Sequence, residues 1–130
     1  MAIKVYGNQG STCTQRVLTT LYEKDVPYEL IVIDLAKRDN KSEKYMELHP
    51  FGKVPVLDDD GFIVFESRAI AKYIAKKYAS QGTPLMPTDG DTKAYGLFEQ
   101  ACSIEEFYFN PPTSAITFEK VFKAYEFFPS

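Results

Sequence analysis

The chain has 130 residues, 45% of them hydrophobic and 25% charged, and carries a net charge of −3. That length holds one full domain, or a small domain and part of a second, and the composition is that of a folded globular protein. It excludes intrinsic disorder, and the negative balance leaves no electrostatic footprint for nucleic acid.

Two cysteines, Cys13 and Cys102, stand far apart, which argues against a disulfide scaffold or a zinc cluster and for a reducing compartment. His49 is the only histidine, so a metal site built on histidines, or a histidine-based triad, has little to draw on. No stretch approaches membrane-spanning length, and the N-terminus enters a strand with no cleavage signature. The expectation is a cytoplasmic protein with no membrane insertion and no metal.

In chain order, Ile3 to Tyr6 alternates as a half-buried strand that ends at Gly7. A loop over Asn8 to Ser11 precedes a helix to about Glu23, with Val17, Leu18, Leu21 and Tyr22 as its apolar stripe. Tyr28 to Asp34 holds the continuous run Leu30-Ile31-Val32-Ile33, which predicts a strand buried on both faces. Strand, helix and strand together read as a βαβ unit with a parallel pair. A short helix is expected between Ser42 and Leu48. Val54–Leu57 and Phe62–Phe65 are strands joined by Asp58-Asp59-Asp60-Gly61, a hairpin signal. Ser67 to Tyr78 is a helix with Ile70, Ile74 and Tyr78 in register, and Lys72, Lys76 and Lys77 read as its solvated face.

The order βαβ–α–ββα matches a thioredoxin-like α/β domain over residues 1–78. Residues 79–91 (ASQGTPLMPTDGD) are rich in Gly, Pro, Ser and Thr and read as a linker. Residues 92–130 form a partial all-helical C-terminal domain, with helices over Thr92–Phe109 and Ser114–Phe127 split by Pro111-Pro112. Seven of the ten phenylalanines fall between Phe98 and Phe128. Two helices cannot bury that many rings, so these should pack on the first domain or on a partner chain.

Three short features carry possible chemistry, and each has a bland reading. Pro55 inside an apolar run fits an edge strand or bulge. In a thioredoxin-like domain, a cis bond before such a proline turns the backbone of Val54 outward, to pair with an extended peptide ligand. Glu66-Ser67 fits a helix cap, or a site where a helix N-terminus takes a ligand carboxylate and Glu66 the adjacent ammonium. Gly10-Ser11-Thr12-Cys13-Thr14 also fits a cap. No histidine or acid is near enough to make Ser11 a conventional nucleophile, but a hydroxyl can stabilise a thiolate by donating to it. Cys13 is either packed in the first helical turn or a thiol acidified by the helix N-terminus.

The blocks KVYGNQGSTCTQRVL, NKSEKYMELHPFGKVPVL and VFESRAIAKYIAKKY resemble glutathione transferases, most closely the phi class, over residues 3 to about 122. The resemblance implies a glutathione-binding N-terminal domain and a helical domain that supplies an electrophile pocket, generally in a homodimer. It implies that Ser11 is catalytic and stabilises the glutathione thiolate. Lys41 and Lys53 then hold the glycine carboxylate, Val54 pairs with the cysteinyl backbone ahead of cis-Pro55, and Glu66 and Ser67 grip the γ-glutamyl end. Thr12, Leu35, Phe107, Phe118 and Phe122 are implied as walls for a hydrophobic electrophile, with Phe109 beside them.

The implied activity is conjugation of glutathione to hydrophobic electrophiles in detoxification or stress response, with glutathione as co-substrate and no metal. Two alternatives stand beside it: a glutathione-binding ligand carrier or interaction module without turnover, and a Cys13-dependent thiol transferase. Two departures from the pattern bear on these. Asn40 replaces a histidine frequent in the phi class, and the chain ends where the family's helical domain continues, as in a shortened form.

Overall fold

The computed structural model describes residues 3–126, except the side chains of Tyr125 and Glu126, so the end of the helix expected to reach Phe127 lies outside the described residues. The chain divides into two compact units, one running to Met86 and the other starting at Pro87, a boundary inside the Gly/Pro-rich 79–91 segment.

The first unit is a four-stranded sheet of order β2-β1-β3-β4, made by β1 (Ile3–Gly7), β2 (Tyr28–Val32), β3 (Val56–Asp59) and β4 (Phe62–Phe65). Its helices are α1 (Thr12–Glu23), α2 (Glu43–Leu48) and α3 (Ser67–Lys77). β1 and β2 pair in parallel, with α1 as the crossover, while β1–β3 and β3–β4 are antiparallel. Together this is the thioredoxin-like arrangement.

Alternation along the strands sends side chains to two cores, because successive residues face opposite sides of a sheet. Ile3, Val5 and Leu57 meet Val17 and Leu21 of α1 and Ile70 and Ile74 of α3 on one face. On the other face Val56 packs with Tyr45 of α2 and Ile33, flanked by Tyr6, Leu48 and Phe65. The hairpin turn is the two-residue Asp60-Gly61, both at positive φ (54° and 89°), closed by a Gly61 N–H bond to Asp58 Oδ1 of 2.8 Å.

Three expectations are corrected. β2 lies at the sheet edge and Val32 is 67% exposed, since a strand with one neighbour covers only part of its apolar run. On α1, Tyr22 is 79% exposed, and the buried positions are Thr14, Val17, Thr20 and Leu21. Thr14 is there because Gly7 brings β1 so close that a Cβ would sit 2.6 Å from the threonine methyl. β3 begins at Val56, so Pro55 stands just before the strand and removes no ladder hydrogen bond. The solvated face of α3 is as expected at Lys76 and Lys77, which are exposed; Lys77 also ion-pairs with Asp59, which accepts from Tyr73 Oη at 2.6 Å.

Beyond α3 the chain returns to the C-terminal end of α1. Lys24 is only 1% exposed, and its ammonium donates to the Thr83 carbonyl at 3.0 Å. Gln81 Nε2 donates to the Lys24 carbonyl at 2.8 Å, and Thr83 Oγ1 to Glu23 at 2.7 Å. A cation at a helix C-terminus suits the helix dipole. The segment expected as a linker is thus fastened through Thr83.

The second unit is helical throughout its described residues: α4 (Thr92–Ile104), α5 (Asn110–Thr117) and α6 (Lys123–Glu126) are joined by π-helical turns over 105–109 and 118–122. The expected break at Pro111-Pro112 does not occur. Proline removes a donor and crowds the carbonyl four residues back. The turn just before the pair is widened, with the Asn110 N–H bonded five residues back to Glu105, and the helix continues. Asp91 caps α4 through a 2.9 Å bond from the Ala94 N–H. No residue from Ala94 to Ala124 is buried, and Phe107, Phe109, Phe118 and Phe122 are exposed. Phe127 and Phe128 lie outside the described residues. No helix among the described residues is long and apolar enough to cross a membrane.

Candidate functional site

Topology gathers the singled-out residues at one end of the sheet. β1 ends at Gly7 and leads to Ser11. Its antiparallel partner β3 begins there, just after Val54 and Pro55, and β4 ends there at Phe65, followed by Glu66 and Ser67. The helices α1 and α3 therefore both start at this end, with their unpaired N–H groups and positive dipole ends.

Ser11 is the N-cap of α1. Its Oγ accepts from the Thr14 N–H at 3.3 Å, and its hydroxyl proton goes to no described residue. The loop before it is held by Asn8, whose carbonyl accepts from the Ser11 N–H at 2.9 Å and whose Nδ2 donates to the Ile33 carbonyl at 3.1 Å. Cys13 and Cys102 are half-buried free thiols, the first within the opening turn of α1. Thr12 and Leu35 are exposed.

The Val54–Pro55 peptide bond is cis. Among the described residues, the Val54 N–H and C=O make no hydrogen bond. Val54 nevertheless packs its side chain into the second core, so its backbone is anchored while its polar edge is bare.

Glu66 immediately precedes α3 at φ 72°, ψ 107°, a region that non-glycine residues avoid and that clusters at functional sites. Its carboxylate is exposed and makes no ion pair with a described residue. Ser67 is buried, and its Oγ accepts from Arg16 Nη1 of α1 at 2.6 Å. That bond ties the two helix starts together. With an acceptor lone pair occupied by the guanidinium, the Ser67 hydroxyl is left to donate.

Lys41 and Lys53 flank a turn over 49–53. Lys41 Nζ donates to the Phe51 carbonyl at 2.9 Å, and Asn40 Nδ2 to the Gly52 carbonyl at 2.8 Å. Tyr45 Oη donates to the Lys53 carbonyl at 2.7 Å. Gly52 sits at φ 57°, and a Cβ there would lie 2.6 Å from the Asn40 carbonyl oxygen, so glycine is required twice over. Lys53 itself is exposed and unpaired among the described residues.

Ser11, Val54, Pro55, Glu66 and Ser67 thus converge, with Lys41 and Lys53 on the adjoining turn. Phe107, Phe118 and Phe122 belong to the other unit. Sequence reading did not single out Arg16, Asn8 or Tyr45. Their partners lie up to 51 positions away, and no local spacing marks them. No group of three or more His, Cys, Asp or Glu among the described residues could hold a metal ion.

The family model "Glutathione S-transferase, N-terminal domain" matches residues 1–76. The chain belongs to the glutathione S-transferase family. Glutathione S-transferase hmp2 of Hypomyces subiculosus is 54% identical over 126 residues, which is 97% of this chain and 58% of that protein. The crystal structure of glutathione transferase F2 from Populus trichocarpa superposes with a TM-score of 0.90 at 36% identity, over 98% of this chain and 59% of the other. Glutathione S-transferase I bound with lactoylglutathione gives 0.84 at 30% identity, over 94% and 56%. Several of its other relatives are phi-class transferases of plants, among them glutathione S-transferase F13 of Arabidopsis thaliana, 40% identical over 89% of this chain and 52% of that protein, in agreement with the resemblance in the sequence. The chain spans a little over half the length of the curated relatives it matches.

Proposed function

We propose that this chain binds reduced glutathione at the end of the sheet where α1 and α3 start, and conjugates its thiolate to hydrophobic electrophiles. The observation that carries the reading is the bare N–H and C=O of Val54 beside cis-Pro55, flanked by two helix N-termini. An extended peptide pairs with that edge by backbone bonds, as in strand addition. Its γ-glutamyl carboxylate meets the N-terminus of α3 and the Ser67 hydroxyl, and its ammonium meets Glu66. Lys41 and Lys53 supply positive charge for the glycine carboxylate.

Chemistry follows from the thiol. A free thiol near pKa 8.5 is less than about a tenth ionised at neutral pH, yet the thiolate is the nucleophile. Lowering that value by about two units requires ~2.7 kcal/mol of preferential stabilisation of the anion. Ser11 already spends a lone pair on its cap and keeps its proton for the sulfur, and the α1 dipole adds to it. For the electrophile, exposed apolar side chains are available at Leu35, with Thr12, and at Phe107, Phe118 and Phe122. A homodimer in the cytoplasm completes the reading, in keeping with family membership.

Titration of glutathione against the purified chain, beside conjugation to a chlorinated nitrobenzene, tests this. Ser11→Ala is expected to retain glutathione while conjugation at neutral pH falls about ten-fold, with the bound thiol pKa rising by more than about one unit. Equal rates for the two chains would reject the role of Ser11, and absence of binding would reject the site.

A further inference from the structure

The turn over 49–53 carries Lys53 and leads into Val54, and it is built around His49, a residue the reading above leaves without a task. His49 is 2% exposed at the end of α2, where its N–H bonds the Tyr45 carbonyl at 3.0 Å. Its carbonyl accepts from the Gly52 N–H at 2.8 Å, closing the turn. Its imidazole stacks on Phe65 with centroids 4.4 Å apart, and Phe51 meets it edge-on at 6.1 Å. Phe65 is the residue just before Glu66, so one ring spans the turn and the start of the γ-glutamyl site.

The ring also has a fixed protonation pattern. Nδ1 accepts from the Phe51 N–H at 3.3 Å, and that amide has no other acceptor among the described residues. The ring proton therefore sits on Nε2. A second proton, on Nδ1, would set two donors face to face and break the bond. Around it, the carbonyls of His49, Phe51, Gly52 and Lys53 accept from the Gly52 N–H, Lys41, Asn40 and Tyr45, so the shape of the turn is fixed by bonds on both sides of the Phe51 amide.

We propose that His49 is a positioning residue for the glutathione site: its neutral imidazole holds the 49–53 turn in the shape that presents Lys53 and Val54, and its protonation releases that turn and the ligand. The proposal rests on the glutathione reading above. The charged groups around the ring agree with it. Burial holds the imidazole below its ordinary value. Glu66 pulls in the opposite direction, while Lys53 and Lys41 reinforce the burial. Tyr45, the other titratable side chain packed here, is neutral, its phenol pushed up to about 12 by burial. The ligand engages Glu66 through its ammonium and Lys41 and Lys53 through its glycine carboxylate, so its own charges act on the imidazole in opposite directions. The sign comes from the turn: bound glutathione requires the turn intact and the turn requires an unprotonated Nδ1, so binding lowers the His49 pKa and by linkage a proton on His49 weakens glutathione.

Because the chain has a single histidine, the imidazole can be followed without ambiguity by NMR in the intact 130-residue protein. The expected spectrum shows the Nε2–H tautomer, titration below the ordinary ~6.5, and a further downward shift with saturating glutathione. Calorimetric titration of glutathione one pH unit below the measured value should then show about ten-fold weaker binding than at neutral pH. In His49→Asn, whose side-chain oxygen can accept from Phe51 but cannot titrate, the fall shrinks to the few-fold loss that protonation of the bound thiolate alone supplies. An Nδ1–H tautomer, a pKa unmoved by glutathione, or parallel loss of affinity in both chains overturns the proposal. If the variant does not fold, the wild-type spectrum decides alone. No binding at neutral pH by the wild-type chain rejects the glutathione reading itself, and the gate with it.

Discussion

The two units of this chain use the same backbone hydrogen bonding to different ends. In the first, each element gives up a face to a core: Val5, Leu57, Val17, Leu21, Ile70 and Ile74 are fully buried. In the second, a helix runs through two prolines and two widened turns without burying a residue from Ala94 to Ala124. Local bonding is enough to make a helix, but it does not fix a side chain to within a fraction of an ångström. The residues that a glutathione site needs in fixed geometry stand on the unit with the core.

The largest effect that can break this contrast is a pair of leucine truncations. Leu57→Ala removes a fully buried side chain between α1 and α3 and should cost about 3 kcal/mol in denaturant unfolding. Leu97→Ala, on the exposed surface of α4, should fall within ~0.5 kcal/mol. Similar costs at both positions would show that the second unit has a core of equal weight.

Alkaline titration sharpens the same contrast inside the first unit. The Tyr45 phenol is buried and donates to the Lys53 carbonyl, and its pKa is pushed up to about 12. The unfolded chain releases this proton near pH ~10, while the native chain keeps it. Native protein therefore holds the extra proton between those values, and its stability is intact below pH ~10 and falls as the pH rises toward ~12, by about 2 kcal/mol. Unfolding measured across that window should show the slope in wild type and a flatter one in Tyr45→Phe.

Next in size is the tie between the two helix starts. Arg16→Gln should weaken glutathione about ten-fold, because Ser67 loses the charge-assisted bond that orients its hydroxyl. A glutathione analogue lacking the γ-glutamyl carboxylate should bind both chains alike. Equal penalties for the two ligands would reduce Arg16 to a packing residue. The smallest effect is expected from Lys77→Met. This lysine is exposed, while its partner Asp59 is only 10% exposed and keeps the Tyr73 hydroxyl as a second donor, so the cost should be small and shrink in salt.

Much of the first unit was legible because its signals are short-range. The alternation in Ile3–Tyr6, the Asp60-Gly61 turn and the 3.6-residue spacing of Ile70 and Ile74 each name an element without help from elsewhere. Misreadings came where tertiary position decides. Leu30-Ile31-Val32 looks the same in an edge strand as in a central one, and Pro111-Pro112 gives no sign that the preceding turn can widen. At the site, Ser11, Pro55 and Glu66-Ser67 each read equally well as a cap or a bulge, and only their family spacing joined them. Arg16, Asn8 and Tyr45 act through partners that the fold alone supplies. His49 was visible as a lone histidine, but its bond to the Phe51 amide depends on the shape of a turn.

Glu66 also separates what is good for the resting protein from what is good for its ligand. A glycine would adopt φ 72° without crowding its own side chain, so the native glutamate carries a conformational cost of order 1 kcal/mol that the empty site does not recover. Under the proposed function, pairing of the Glu66 carboxylate with the ligand's ammonium offsets that cost. Glu66→Gly is then a change that adds stability at the expense of recognition.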